Sequence, residues 1–154
     1  MKNKAQISLE ILIVVLLIIV FLYIYTSLSN MTVKSLEINK IKEQQLDIAL
    51  EINNFLKTQD SLLDFPINNY TQISNSMSIP SIDIASKKVN CTIDINHTNI
   101  VIYSSAYGGI TTNLQTNLDS SNNLILGLRT YCSQTLECVF DAGDIDCDNL
   151  SNVP

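Results

Sequence analysis

The stretch that decides the fold is "ILIVVLLIIVFLYIYTSLSNMTV", residues 11–33, which contains no charged side chain. The part from Ile11 to Tyr25 is wholly aliphatic or aromatic. A helix needs about 20 apolar residues to cross a hydrocarbon core of about 30 Å. The stretch therefore predicts a membrane helix whose spanning part lies at about residues 11–28, and its unbroken length disfavours the alternative of a buried core helix.

The charges that flank this stretch predict its orientation. Lys2 and Lys4 precede it, and Lys34 follows it. Because basic residues favour the cytoplasmic side of a membrane, the N-terminus is expected to stay inside and the remaining chain to lie outside.

Glu10 sets this start apart from an ordinary secretory leader or a simple anchor. The apolar run is longer than the 7 to 15 residues that are typical of a cleaved secretory signal. An uncleaved anchor would explain the run but not the glutamate. An acidic residue costs about 2.5 to 3.5 kcal/mol at the centre of a membrane helix, and less near its edge.

The residues around Glu10 carry a family resemblance. The segment "KNKAQISLEILIVV", residues 2–15, resembles the class III leader of archaeal type IV prepilins, in which a short basic peptide precedes a Gln-x-Ser-x-Glu box and a hydrophobic helix. Gln6, Ser8 and Glu10 stand in the box. The resemblance implies that a prepilin peptidase cuts between Ala5 and Gln6, which makes Glu10 the fifth residue of the mature chain. The family often has an aromatic residue where this chain has Ile11, and archaellins share the general plan without this box.

That placement gives Glu10 a physical use. In a filament of packed helices, its carboxylate would pair with the freed ammonium group of Gln6 in a neighbouring copy, or with the N-terminus of its own helix. Two such charges 4 Å apart attract by roughly 4 kcal/mol at an effective dielectric constant of 20, and desolvation offsets much of this. We therefore expect Glu10 to set register more than stability. The alternative is a glutamate that lies among lipid head groups.

The resemblance implies a structural function. The chain would be a pilin, processed by the prepilin peptidase, stored in the cell membrane and polymerised through its N-terminal helix with copies of itself and with other pilins. An assembly ATPase and its membrane platform would be further partners, and the extracellular filament would serve adhesion. A cysteine-bearing head favours a minor pilin over a bulk subunit. The alternative is a single-pass, membrane-anchored extracellular module that binds calcium, a sugar or a surface protein and does not polymerise.

A second pattern follows the apolar stretch. Spacings of 3, 4, 3, 4 and 3 are typical of one helix face that packs on another surface, and they join Ile38, Ile41, Gln45, Ile48, Ile52 and Phe55. This predicts one helix over about residues 6–57, after a leader at 1–5, with the second half of the helix bearing a head domain at 58–154.

The head reads as β structure. From Thr58 onward Ser, Thr and Asn become frequent, and helical periodicity gives way to alternation. Strands are predicted at 79–85, 89–95 and 100–103, in "NLILGLRTYC" and in "LECVFDAG", with a turn at Asn96–Asn99 and a break at Tyr107–Gly109. The expected fold class is α+β, a long hydrophobic helix with a small, mainly antiparallel β head.

Four cysteines, Cys91, Cys132, Cys138 and Cys147, predict two disulfides in an exported domain. Three connectivities are possible. We favour a local Cys132–Cys138 bridge with a long Cys91–Cys147 bridge, although the sequence does not decide between them. Zinc is disfavoured because no Cys-x-x-Cys pair is present.

Five Asn-x-Ser/Thr acceptor motifs for N-linked glycans lie at Asn30, Asn69, Asn90, Asn96 and Asn149. Asn69 and Asn96 are expected to be the best exposed. Asn30 is expected to lie among packed helices, and Asn90 to be buried in a strand.

Near the end of the chain, Asp144, Asp146 and Asp148 occupy alternate positions, as in the opening of an EF-hand calcium loop. Asn149 replaces the glycine that the loop requires. The residues therefore predict at most a looser calcium site, with a solvated acidic turn as the alternative.

Composition argues against nucleic-acid binding and catalysis. The net charge is -6, and beyond Lys87 and Lys88 no basic cluster offers a phosphate-binding surface. The single histidine, His97, lies in a predicted turn, where a surface residue is expected, and no Gly-x-Ser-x-Gly motif is present. The chain is not expected to be an enzyme, nor to need a cofactor other than the candidate calcium.

Overall fold

The computed structural model describes residues 2–62, 73–116, 118, 124–125, 127–141 and 144–149. The fold is α+β: a long, partly apolar N-terminal helix is followed by a small β domain. In the described part the elements are α1 (Lys2–Leu62), β1 (Ile73–Ser78), β2 (Ile82–Ile84), β3 (Lys87–Val89), β4 (Cys91–Ile95), β5 (Asn99–Ser104), β6 (Ile110–Gln115), β7 (Leu124–Ile125), β8 (Leu128–Tyr131), β9 (Thr135–Asp141) and β10 (Asp144–Asn149).

The strands form two four-stranded sheets and one short hairpin. The first sheet has the order β1-β9-β10-β7, and the second has the order β6-β5-β4-β8. All pairs in the second sheet are antiparallel, as are β1–β9 and β9–β10, while β10 and β7 are parallel. The β2–β3 hairpin is separate from both sheets. The prediction of a mainly antiparallel head is confirmed.

The chain divides into two compact units, residues 1–37 and residues 38–154. The second unit therefore contains the last part of α1, here called the head-bound segment (residues 38–62). Its buried residues join one apolar core with the inward-facing residues of the strands. These core residues include Ile41, Ile48, Ala49, Ile52 and Leu56 of the helix and Ile93, Ile95, Ile100, Ile102, Leu136 and Ile145 of the sheets.

The predicted helix stripe is confirmed. Ile41, Gln45, Ile48 and Ile52 are buried, and Ile38 and Phe55 pack against the core from its edge. The stripe is wider than predicted, because Ala49 and Leu56 are also buried. A helix that faces two sheets needs a broader apolar surface than the narrow 3-4 seam that the sequence first shows.

The helix also runs further than predicted, to Leu62 instead of about Lys57. The Thr58 hydroxyl donates to the carbonyl of Asn54 at 2.9 Å, and the Ser61 hydroxyl donates to the carbonyl of Thr58 at 2.7 Å. Both residues thus bond within the helix instead of ending it.

Some predicted strands differ from the observed ones. The strand predicted at 79–85 is only three residues long, because Ile79 pairs its backbone instead with Ser133 and Gln134 in the turn after β8. Val89, predicted as the start of the strand at 89–95, belongs to the β2–β3 hairpin instead. Asn90 lies between β3 and β4 and is part of neither strand.

Other strand predictions hold where the apolar alternation is clean. Cys91, Ile93 and Ile95 are buried along β4, and the predicted turn joins it to β5. The stretch "NLILGLRTYC" contains two strands, β7 and β8, that lie in different sheets. Strands β1, β6 and β10 went unpredicted because Ser, Thr, Asn and Asp occupy most of their outward positions.

Candidate functional site

The first feature of functional interest is the apolar segment, defined as residues 11–36 of α1. Its large hydrophobic side chains are all exposed; the least exposed, Val20, has 45% of its surface accessible. The helix is long and apolar enough to cross a membrane, with a mean hydropathy of 2.9 over its most apolar window and no burial there. This surface indicates membrane association.

Two threonine hydroxyls of the apolar segment are bonded within the helix. The Thr26 hydroxyl donates to the carbonyl of Tyr23, and the Thr32 hydroxyl donates to the carbonyl of Leu28, both at 3.0 Å. An unpaired polar group is costly in an apolar environment. These bonds satisfy the two threonine hydroxyls within the helix itself.

The predicted processing residues lie at the start of the same helix. Ala5, Gln6 and Ser8 have helical backbone, and their side chains lie outside the described residues. Glu10 is described and exposed, immediately before Ile11. On a helix, positions 6 and 10 are one turn apart on the same face.

The second feature is a row of amide side chains that fixes the head-bound segment to the strands. Buried Gln45 donates through Nε2 to the carbonyl of Ile110 at 3.1 Å and accepts through Oε1 from the Thr112 hydroxyl at 2.7 Å. This uses both ends of its amide on β6. A buried amide that keeps its hydrogen bonds avoids a cost of about 1 to 3 kcal/mol.

Gln44 and Gln59 make similar contacts. Gln44 donates to the carbonyl of Asp83 at 3.3 Å and accepts from the Asp83 backbone N–H at 3.1 Å, as a neighbouring strand would. Gln59 accepts from the Asn75 side chain in β1 at 2.9 Å. The sequence placed Gln45 in the stripe, but its partners were not predicted.

The disulfides join Cys91 to Cys132 and Cys138 to Cys147. The favoured pairings, Cys132 with Cys138 and Cys91 with Cys147, were both wrong. Cys91 and Cys132 belong to the second sheet and the turn after it, whereas Cys138 and Cys147 lie in β9 and β10 of the first. Cys138 and Cys147 are direct cross-strand partners. Closing loops of 41 and 9 residues restricts the unfolded chain by about 4 and about 3 kcal/mol respectively.

The sequence held a signal for the shorter bridge. In a hairpin in which Asp141 pairs with Asp144, position 138 falls opposite position 147. The glycine in "FDAGDID" is typical of such a turn.

The predicted glycan acceptors divide into described and undescribed positions. Asn69 lies outside the described residues, as does the side chain of Asn149 in β10. Asn96 is exposed, and its side-chain oxygen accepts from Thr98 and Asn99 in the turn. Asn90 is exposed, contrary to expectation, because it lies between two strands and not within one. Asn30 is exposed on α1 of the single chain, and its packing among neighbouring helices stays a prediction.

The acidic residues proposed for calcium lie on a strand. Asp144, Asp146 and Asp148 occupy alternate positions of β10, of which Asp146 and Asp148 are exposed. An extended strand separates its first and fifth Cα atoms by about 13 Å, whereas a calcium loop wraps its ligands around the ion. Among the described residues no group of three or more His, Cys, Asp or Glu is placed to hold a metal ion.

His97 is half-buried, not at the surface as expected. Its carbonyl accepts from the Thr116 hydroxyl at 2.8 Å, and its Nδ1 atom is buried without a hydrogen-bond partner. The residue thus helps to close the turn between β4 and β5 against the end of β6.

An ion pair that the sequence did not indicate crosses β4 and β8. Arg129 donates through Nε to Asp94 Oδ1 at 2.6 Å and through a terminal N–H to Oδ2 at 3.1 Å. The hydrogen bond to Asp94, aided by its negative charge, raises the pKa of Arg129 above its ordinary value. Both side chains are solvent-accessible, so the pair orients the guanidinium more than it stabilises the fold.

Taken together, the described residues offer an apolar helical surface headed by a carboxylate and a disulfide-bonded head that is fixed to the same helix by amides. Such an apolar surface suits burial in lipid or against other helices. Comparison of the chain with protein-family models, curated proteins and solved structures finds no match.

Proposed function

We propose that this chain is a structural subunit, a pilin, of an archaeal type IV pilus-like surface filament. The observation that carries the proposal is that every large apolar side chain of the apolar segment is exposed. An amphipathic stripe needs one partner surface, but a helix that is apolar on every side needs apolar surroundings on every side. A bilayer would supply them before assembly, and the packed helices of other copies would supply them afterwards.

The burial available to such packing is large. Each large apolar side chain moved from water to an apolar environment contributes about 1.5 to 3 kcal/mol. Lipid already supplies that environment, so transfer from membrane to filament is nearly neutral in hydrophobic terms. Specific contacts must then favour the filament, and Glu10 is the residue we assign to this task.

Glu10 would act after cleavage between Ala5 and Gln6. The new ammonium group and the carboxylate four positions later are complementary, and pairing between neighbouring copies would fix the axial register of their helices. In this environment a lone carboxylate is costly, whereas a paired one is tolerated. The arrangement would therefore penalise every register in which Glu10 lacks its partner.

The head suits the extracellular face of the filament. Two disulfides are typical of domains that fold in oxidising surroundings, and Asn90 and Asn96 are exposed acceptors. The partners of the proposal are copies of this chain and other pilins, the prepilin peptidase, and the assembly ATPase with its membrane platform. Surface attachment is the role that we assign to the filament.

The test compares Glu10→Ala with Glu43→Ala, which removes an exposed carboxylate from the head-bound segment of the same helix. Three quantities are measured in cells: the membrane-bound fraction, the N-terminal residue and the number of filaments in electron micrographs. We expect Glu10→Ala to stay in the membrane and to lose filaments, and Glu43→Ala to match the parent.

Because Glu10 also lies in the cleavage box, the N-terminal residue separates two effects. A Glu10 variant that begins at Gln6 yet forms no filaments assigns the carboxylate to assembly. Glu10→Gln keeps the shape of the side chain and should also fail to assemble. Filaments at parental numbers in both variants would contradict the role of Glu10, and a parent chain that enters no filament would contradict the function.

A further inference from the structure

The outward face of the second sheet carries an unusual set of side chains. Alternation along the strands turns Thr92, Asp94, Val101, Tyr103, Arg129 and Tyr131 away from the core, and we call these residues the tyrosine face. The side chains between them in the chain, such as Ile93, Ile102 and Thr130, are buried.

The two tyrosines flank one threonine in a straight row. Thr92 of β4 pairs with Tyr103 of β5 on one side and with Tyr131 of β8 on the other. Two strand spacings of about 4.8 Å therefore separate the tyrosine backbones by about 10 Å. Both rings are half exposed, at 46% and 49%.

The Tyr103 ring rests against backbone. Gly109, with φ +102°, lies so close that a Cβ atom placed on it would be 3.0 Å from both Cε2 and the hydroxyl oxygen of Tyr103. Glycine is thus required both for the backbone conformation and for the space that the ring occupies. A ring seated in this way loses little conformational freedom when it binds a partner.

The tyrosine face is electrically neutral in an acidic protein. Within the four strands of this sheet, Asp94 and Arg129 are the charged residues, and they pair with each other. Strands β9 and β10 of the other sheet contain carboxylates and no basic residue. With a net charge of -6, the protein repels polyanions, so this face suits an uncharged partner.

We propose that the tyrosine face binds a neutral, extended β-1,4-linked polysaccharide. Pyranose rings present C–H groups on their faces, and these stack on the electron-rich faces of aromatic rings. In such a polymer every second sugar has the same orientation, so the structural repeat is two sugars long. The length of this repeat matches the separation of about 10 Å between the backbones of the two tyrosines across Thr92.

The polar groups of the face complement the sugar hydroxyls. Arg129 uses two of its five N–H donors on Asp94, so donors remain, and each Asp94 oxygen retains a lone pair. Thr92, which carries a further hydroxyl, lies between the two tyrosines in the strand register. The polysaccharide would be the target of the attachment role proposed above. The biological use of the site rests on that proposed function, whereas the binding itself does not.

The test is co-sedimentation of the full chain, held in detergent micelles, with microcrystalline cellulose and with chitin. Soluble hexasaccharides of the same linkage serve as competitors, and dextran sulfate beads serve as a polyanionic control. We expect saturable retention on at least one of the two neutral polymers, competition by its hexasaccharide, and no retention on the sulfated beads.

Variants then assign the binding to the face. Tyr103→Ala and Tyr131→Ala should each weaken retention by roughly three- to tenfold, the effect of losing one stacked ring, and the double variant should abolish it. Tyr131→Trp enlarges the ring and should strengthen retention, a gain that a misfolded chain would not give. Tyr23→Ala removes an exposed tyrosine from the apolar segment and should change nothing.

Absence of retention on both neutral polymers overturns the proposal, as does retention that survives in the double variant. Filaments lost in the double variant, without any sugar binding by the parent, would make the face a contact between subunits instead. The measurement uses unassembled chain, so its failure leaves the filament proposal intact. Loss of filaments in Glu10 variants leaves the sugar site intact in turn.

Discussion

The two parts of α1 solve the same problem, the burial of apolar side chains, in different ways. In the head-bound segment a stripe of isoleucines is buried, and glutamines on or beside it bond to strands. In the apolar segment aliphatic residues surround the helix and all are exposed. The first part carries its partner within the same chain, whereas the second part requires an apolar partner from outside.

This difference shows how a single helix can serve two environments. Exposed Leu46 and Leu50 of the head-bound segment are accompanied by Lys42, Glu43 and Asp47, as on an ordinary soluble helix. No charged residue accompanies the exposed leucines between Ile11 and Val33. An exposed leucine therefore has different consequences in the two segments, which matched substitutions can measure.

The largest contrast is expected from Ile52→Ala and Ile18→Ala. Ile52 is fully buried in the core, so its truncation leaves a cavity and should lower the free energy of unfolding of the head by about 4 kcal/mol. Ile18 is exposed, and its truncation should leave that free energy unchanged. Hydrogen exchange of the β4 and β5 amides, in detergent, measures both values, and equal losses in the two variants would erase the distinction between the segments.

A slightly smaller effect is expected from placing a charge on each segment. Leu17→Arg puts a guanidinium at the middle of the apolar segment, at a cost of about 3 kcal/mol if the segment spans a bilayer. The equilibrium constant for insertion should then fall by about a hundredfold. Leu46→Arg, on the exposed side of the head-bound segment, should insert as the parent does. Partitioning of each chain between lipid vesicles and buffer that contains denaturant gives both constants, and equal constants for Leu17→Arg and the parent would contradict a segment that spans the bilayer.

The smallest contrast separates two neighbouring glutamines. Gln45→Ala leaves the partly buried Thr112 hydroxyl and the Ile110 carbonyl without their hydrogen-bond partner, so it should destabilise the head by about 2 kcal/mol. Gln44→Ala removes hydrogen bonds that lie at the surface, where water replaces them, and should cost about 0.5 kcal/mol. Chemical denaturation, monitored by tyrosine fluorescence, measures the free energy of unfolding of both variants. Equal losses would mean that burial does not decide the value of these amides.

Local periodicity explains which parts of the fold were predictable. The apolar segment, the stripe from Ile38 to Phe55 and the alternation along β4 each depend on residues close together in the chain, and all three are found. The polar strands β1 and β6 lack that signal because their outward residues are Ser, Thr and Asn. Helix and strand ends were off by several residues because hydroxyl back-bonding and strand partners decide them.

Features that depend on sheet order could not be predicted in the same way. The Cys91–Cys132 bridge exists because β8 lies beside β4, and no local pattern indicates that neighbour. The row of Tyr103, Thr92 and Tyr131 has the same origin, since it joins three strands. In contrast, the Cys138–Cys147 bridge follows from hairpin symmetry, and a stricter use of that symmetry would have found it.

The central claim, that this chain is processed for assembly, depends on the residue at which the mature protein begins. Intact-protein and N-terminal peptide mass spectrometry of the chain from its native host measures this directly. The account predicts a mature chain that begins at Gln6, with Glu10 as its fifth residue. A chain that retains Lys2 and Lys4 would contradict it, and the protein would then be a membrane-anchored binding module whose apolar segment stays in the bilayer.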